Sequence, residues 1–166
     1  MSLIPYDRTA AVDYAHKWAY RRNPAYLDFS SLGGDCTNFA SQCLYAGAGV
    51  MNYTPTFGWF YKTASQRAPA WTGVQYFYNF LTRNLGDGPF AREVSIGQLE
   101  PGDLVQLAVG ENLNYHHTPF VVRIDGDPTP DTVFIAAHSS DCDFRPLSTY
   151  AIRKLRCLHI EGVRKA

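Results

Sequence analysis

The sequence predicts an α+β domain with helices in its first half and antiparallel strands in its second. Two observations carry this prediction. Apolar residues recur at helical spacing up to Leu81, and after Ser95 the pattern changes to short β-rich runs parted by Gly, Pro and Asp. Helical runs followed by strand runs indicate α+β, where alternating runs would indicate βαβ units. A length of 166 residues suits one domain with one core over residues 1–166.

In chain order, Asp7 or Thr9 can cap a helix over residues 10–22, with Val12, Tyr14, Ala15, Trp18 and Ala19 as its apolar side. Asn23-Pro24 ends it, because the residue before a proline disfavours helix. A loop through Gly33-Gly34 leads to a second helix over residues 35–44. Phe39, Ala40, Cys43 and Leu44 form its apolar face, and Gly47 suits its C-terminal cap. Residues 52–70 read as an aromatic-rich loop. Thr72-Gly73-Val74-Gln75 has capping-box spacing ahead of Tyr76, Phe77, Phe80 and Leu81, a third helix that Gly86-Asp87-Gly88-Pro89 breaks. Strands are expected at 104–109, 118–124, 132–137 and 152–160. The second and third should form a hairpin around Asp125–Pro130.

Charge narrows the function classes. Lys plus Arg number 15 and Asp plus Glu 15, so the net charge is zero and neither a nucleic-acid footprint nor a polybasic membrane patch is present. No apolar run is long enough to span a bilayer, and the first residues lack the pattern of a signal peptide. If the chain is a domain of a longer protein, a secreted or cell-wall location is expected. The four cysteines make no CxxC pair, and His116, His117, His138 and Cys142 lack a recognised ligand spacing. No metal or cofactor is therefore expected.

Cys36 falls in the first turn of the second helix, directly after Gly33-Gly34-Asp35. There, unpaired N–H groups and the helix dipole favour a thiolate and can hold an oxyanion. A small buried helix residue is the competing reading. A thiol hydrolase also needs an imidazole, and His117 stands at a strand entrance. With the hairpin turn centred between Asp127 and Pro128, Ile124 faces Asp131, Val121 faces Phe134 and His117 faces His138. Opposed residues share a face roughly 4.5–5.5 Å apart at Cβ, so His138 would hold the His117 ring. Trp59, Tyr61 and Trp71 are candidates for lining a substrate groove, although such rings more often form core.

The segments Gly34-Asp35-Cys36-Thr37-Asn38-Phe39-Ala40-Ser41-Gln42-Cys43-Leu44, Leu99-Glu100-Pro101-Gly102-Asp103-Leu104-Val105, His117-Thr118-Pro119-Phe120-Val121-Val122 and Phe134-Ile135-Ala136-Ala137-His138-Ser139 occur in this order. Together they resemble the bacterial putative amidase domain family, related to the NlpC-type and CHAP-type cell-wall peptidases. The resemblance covers nearly the whole chain and implies a papain-like fold, with a nucleophile helix packed on an antiparallel sheet. It implies Cys36 as nucleophile, His117 as base and His138 as third member, with Asp141 as the rival third residue. It gives Asp35 a supporting role and places Tyr26 near the thiol. The implied substrate is a peptide or peptidoglycan stem. A non-catalytic binding domain of the same fold and a thiol acyltransferase are the alternative functions.

Overall fold

Helix α1 (Arg8–Trp18) starts where the Asp7 carboxylate accepts a hydrogen bond from the Ala10 N–H at 3.0 Å, so Asp7 is the cap. The computed structural model describes residues 1–166. The helix stops four residues before the predicted Arg22. The Trp18 carbonyl, which a longer helix would offer to the Arg22 N–H, lies 2.9 Å from His138 Nε2. Helix α2 (Cys36–Ala48) runs past the predicted Leu44 and ends at Gly49, whose φ of 68° and N–H bond to the Tyr45 carbonyl make the left-handed cap. Gly47 lies inside α2 for a different reason. A Cβ there would sit 2.5 Å from the Asp7 carbonyl, so only glycine lets the start of α1 lie against α2. A short helix α3 (Pro69–Thr72) precedes α4 (Val74–Arg83). The capping box does not form, because Thr72 belongs to α3 and its hydroxyl accepts from Arg67 Nε.

The strands are β1 (Ser2–Ile4), β2 (Tyr61–Thr63), β3 (Gln66–Arg67), β4 (Gly88–Val94), β5 (Leu104–Val109), β6 (Phe120–Ile124), β7 (Val133–Ala137), β8 (Cys142–Pro146) and β9 (Ile152–Lys165). All pairings are antiparallel, and the fold is α+β. Six strands run in the order β1-β9-β5-β6-β7-β8, and β4 also pairs with β9. The 14-residue β9 is the spine of the sheet. Strand β4 hides in the sequence because Pro89 opens it and Arg92 and Glu93 interrupt its apolar pattern. Strands β2 and β3 form a separate small hairpin inside the segment expected to be loop.

The sheet separates two cores. One face meets the helices through Leu104, Phe120, Ala136 and Leu158, packed with Phe39, Leu44, Trp59, Trp71 and Phe77. The opposite face carries Val105, Leu107, Val121, Ile135 and Cys157 under Leu99 and Leu147. Burying each large side chain contributes roughly 1.5–3 kcal/mol, so the Trp59–Trp71–Phe77 group is a main anchor of the helical layer.

The β6–β7 register corrects the predicted pairing. Ile124 pairs with Val133 and Arg123 with Phe134; a bulge follows, after which Val121 pairs with Ile135 and Phe120 with Ala136. The turn is wider than expected: the Asp125 N–H reaches the Thr132 carbonyl, and the Thr132 hydroxyl bonds the Asp127 carbonyl. Carried outward, this register sets Thr118, and not His117, abreast of His138. A one-residue slip sends a side chain to the other face of the sheet.

Candidate active site

Cys36 occupies the first position of α2, half-buried, against the segment that leads into β6. Its thiol points at the His116 carbonyl, 3.7 Å away. The Thr37 hydroxyl lies 3.8 Å from the sulfur and 3.0 Å from the Thr118 hydroxyl, so two threonines join the helix start to the strand entrance. Burial pushes the Cys36 thiol up, against the Thr37 hydroxyl and the backbone N–H groups of Thr118 and Thr37, which favour the thiolate. The expected lowering by the helix terminus is therefore outweighed, and the resting group is a protonated thiol. All four cysteines are free, with Cys43 and Cys157 buried.

His117 is fixed by its backbone. It bridges Leu107 of β5, whose carbonyl receives the His116 and His117 N–H groups at 2.9 and 3.3 Å. Its ring Nε2 lies 3.1 Å from the Tyr150 hydroxyl, and that hydroxyl lies 3.9 Å from Cys142 Sγ. Arg145 stacks over the Tyr150 ring at 3.6 Å. Burial, then the neighbouring His116 and Arg145 charges, push His117 down to about 4, so its imidazole is neutral at ordinary pH. Burial raises the Tyr150 phenol, and the Cys142 and Cys36 thiols push it the same way. Tyr150 thus stands between His117 and Cys142. Sequence reasoning missed it: one tyrosine among 11, after the Leu147–Thr149 turn, carries no distinguishing signal.

His138 is not the partner of His117. Its Nδ1 lies 2.6 Å from Asp35 Oδ2, its Nε2 faces the Trp18 carbonyl and Arg22, and its ring stacks on Phe39 at 4.0 Å. Both nitrogens are occupied on the helical side of the sheet, as the shifted register requires. Asp35 is buried and also accepts from the Phe29 N–H and the Asn38 amide. The Asp35–His138 pair therefore clamps the residue before Cys36 to the end of β7. Asp141 does not approach His117 either; it takes a two-pronged bond from Arg22 at 2.8 and 3.0 Å.

The aromatic candidates also move. Trp59 and Trp71 are fully buried, and their indole N–H groups donate to Ser41 and Asn38. They brace α2 from behind and line no groove. Tyr61 is half-buried, and its hydroxyl accepts from the Leu27 N–H. Tyr26 packs between Tyr61 and Trp71, with ring centroids 4.9 and 5.9 Å away, and makes no bond to Cys36. No cluster of three or more metal-ligating side chains is present, and no helix is long and apolar enough to cross a membrane.

Comparison with known proteins places these residues in a family. The family model described as "Putative amidase domain" matches residues 5–160, which include Cys36, His117, His138 and Tyr150. A Bacillus subtilis (strain 168) protein named "Uncharacterized protein YhbB" is 36% identical over 127 residues, 75% of this chain. The chain spans 40% of that relative's length. No solved structure matches.

Proposed function

The chain belongs to the putative amidase domain family, and from that membership we propose that it is a papain-like cysteine hydrolase of one domain that cleaves an amide bond with Cys36. The family points to amide hydrolysis. The observation that carries the cysteine mechanism is the thiol at the first position of α2, 3.7 Å from the carbonyl of the residue before His117.

The resting pair is neutral in this reading, thiol and imidazole. If His117 Nε2–H donates to the Tyr150 hydroxyl, which in turn donates toward Cys142, then Nδ1 keeps its lone pair and serves as base. As sulfur bonds the substrate carbonyl carbon, the thiol proton passes to His117, and free N–H groups at the start of α2 hold the oxyanion. The imidazolium gives that proton to the leaving amine as the C–N bond breaks. Water then attacks the thioester, with His117 taking its proton, and the acid leaves as the proton returns to sulfur. Tyr150 is the positioning residue for His117, while Asp35 and His138 hold Cys36 in place.

The substrate proposed is a peptide of the bacterial cell wall, from the resemblance of the Cys36 and His117 segments to cell-wall peptidases, which would place the enzyme outside the membrane. The test is release of new amino groups from muropeptides. The parent protein should produce them, and Cys36→Ala should not, with its thermal midpoint unchanged. Full activity in a folded Cys36→Ala variant would exclude the mechanism. Cleavage of unrelated peptides with muropeptides left intact would reassign the substrate and keep the chemistry.

A further inference from the structure

An open pocket of about 300 Å³ lies away from Cys36 and shares no residue with its surroundings. It forms where the loop after α2 meets the outer side of α4, with Phe80, packed on Trp59, in its wall. Phe57 and Leu85 line it, and they are the two most exposed large apolar side chains of the chain, at 80% and 82%. Tyr76, also exposed, adds a second ring to the wall. Leaving such side chains together in water is costly and marks a binding surface.

Phe57 is held out by its backbone. Thr56, a β-branched residue, has a φ of 65°, and the Phe57 N–H bonds the Pro55 carbonyl two residues back at 2.7 Å. This is the strained hand of γ-turn, which L-residues with branched Cβ rarely adopt. Gly58 locks the turn from the other side, since a Cβ there would sit 2.3 Å from the Asn52 carbonyl. Such strain persists where surrounding structure enforces it, and it concentrates at binding sites. Here its result is an aromatic face presented over a pocket.

Part of the remaining wall is polar and unspent, while the Asn52 and Asn84 amides are taken by hydrogen bonds within the protein. The Thr54 and Thr56 hydroxyls, the Asn79 amide nitrogen and the exposed Arg83 guanidinium line the pocket with no side-chain partner, while Asn79 Oδ1 is taken by Gln75. Flat rings beside neutral donors suit the alternating C–H faces and hydroxyls of a sugar. An unpaired guanidinium at one side suits a carboxylate. The volume, at the lower end for ligand pockets, suits one or two sugar units.

We propose that this pocket is a binding site for an acidic saccharide, with Phe57 and Tyr76 stacking on the sugar and Arg83 pairing with its carboxylate. The site deepens the proposed hydrolysis by anchoring a glycan-linked substrate, but its test reads binding alone, so the two proposals fail separately. The probes are N-acetylmuramic acid and N-acetylglucosamine, amino sugars with and without a carboxylate, titrated into isotope-labelled full chain and followed by NMR. The expected result is saturable shifts at Phe57, Asn79 and Arg83, with the acid bound about tenfold more tightly. Arg83→Gln should remove that preference and keep the weaker binding. Phe57→Ala should weaken both sugars about tenfold. Cys36→Ala should bind as the parent does. Both pocket side chains are exposed, so thermal midpoints should not move. No saturable shift up to about 20 mM of either sugar would overturn the proposal. Binding unaffected by Phe57→Ala, or tighter Phe57-dependent binding of an acidic dipeptide amide, would overturn it too.

Discussion

At Cys36 two effects oppose each other, and burial wins. The helix terminus, Thr37 and the Thr118 N–H favour the thiolate, while the half-buried position and nearby Asp35 raise the thiol. The proposed base, His117, is depressed to about 4, so a neutral pair is expected at rest. The acid limb of kcat/KM should then fall near pH 4, because His117 is competent only when unprotonated. A limb near 6.5, the value of a free imidazole, would mean an open site around His117. Tyr150→Phe should lower kcat by about 10–100-fold with KM little changed, through loss of the ring's anchor. A structural role alone would lower stability and leave that split absent. At this scale the places of Cys36 and His117, a helix start and a strand entrance, were legible in the sequence from the Gly-Gly-Asp before one and the β-rich run after the other. Tyr150 and the real partner of His138 were not, because both depend on where distant segments cross.

Between elements, the decisive joint is the one that sets α2 on the sheet. Gly47 lets α1 enter against α2, and Gly47→Ala drives a Cβ onto the Asp7 carbonyl. That substitution should cost about 1–3 kcal/mol, seen as a lowered denaturant midpoint at unchanged slope. The Asp35–His138 pair is the second tie. Asp35→Ala should destabilise by about 3–5 kcal/mol, because it strands a buried imidazole and frees the Phe29 and Asn38 donors. A loss under 1 kcal/mol would show that the pair holds nothing. Periodicity revealed α1, α2, α4 and four strands, with displaced ends except at β5, which runs over the expected Leu104–Val109. It could not reveal the β6 bulge, since both registers satisfy the same alternation of apolar residues. That single slip turns His138 away from His117 and toward Asp35 on the helical side of the sheet.

For the whole molecule, the α+β order was legible because helical and strand periodicities occupy separate halves of the chain. The late extension of β9 and its pairing with β4 and β1 were not, being long-range matches without a local signal. Global stability should follow pH through His117, whose folded value lies below its unfolded one of about 6.5. Between those values the unfolded chain binds more protons. Stability is therefore full above pH 6.5 and falls as pH drops to 4, by about 3 kcal/mol at most. His117→Gln should flatten that fall in chemical denaturation at stepped pH. The most direct test of the central claim is acylation by p-nitrophenyl acetate, with the modified residue mapped by peptide mass spectrometry in the parent and in His117→Ala. An acetyl thioester on Cys36 is expected in the parent and its loss in the variant, with Cys142 labelled slowly and equally in both. Acylation of Cys142 ahead of Cys36, or of Cys36 at the same rate without His117, would contradict it.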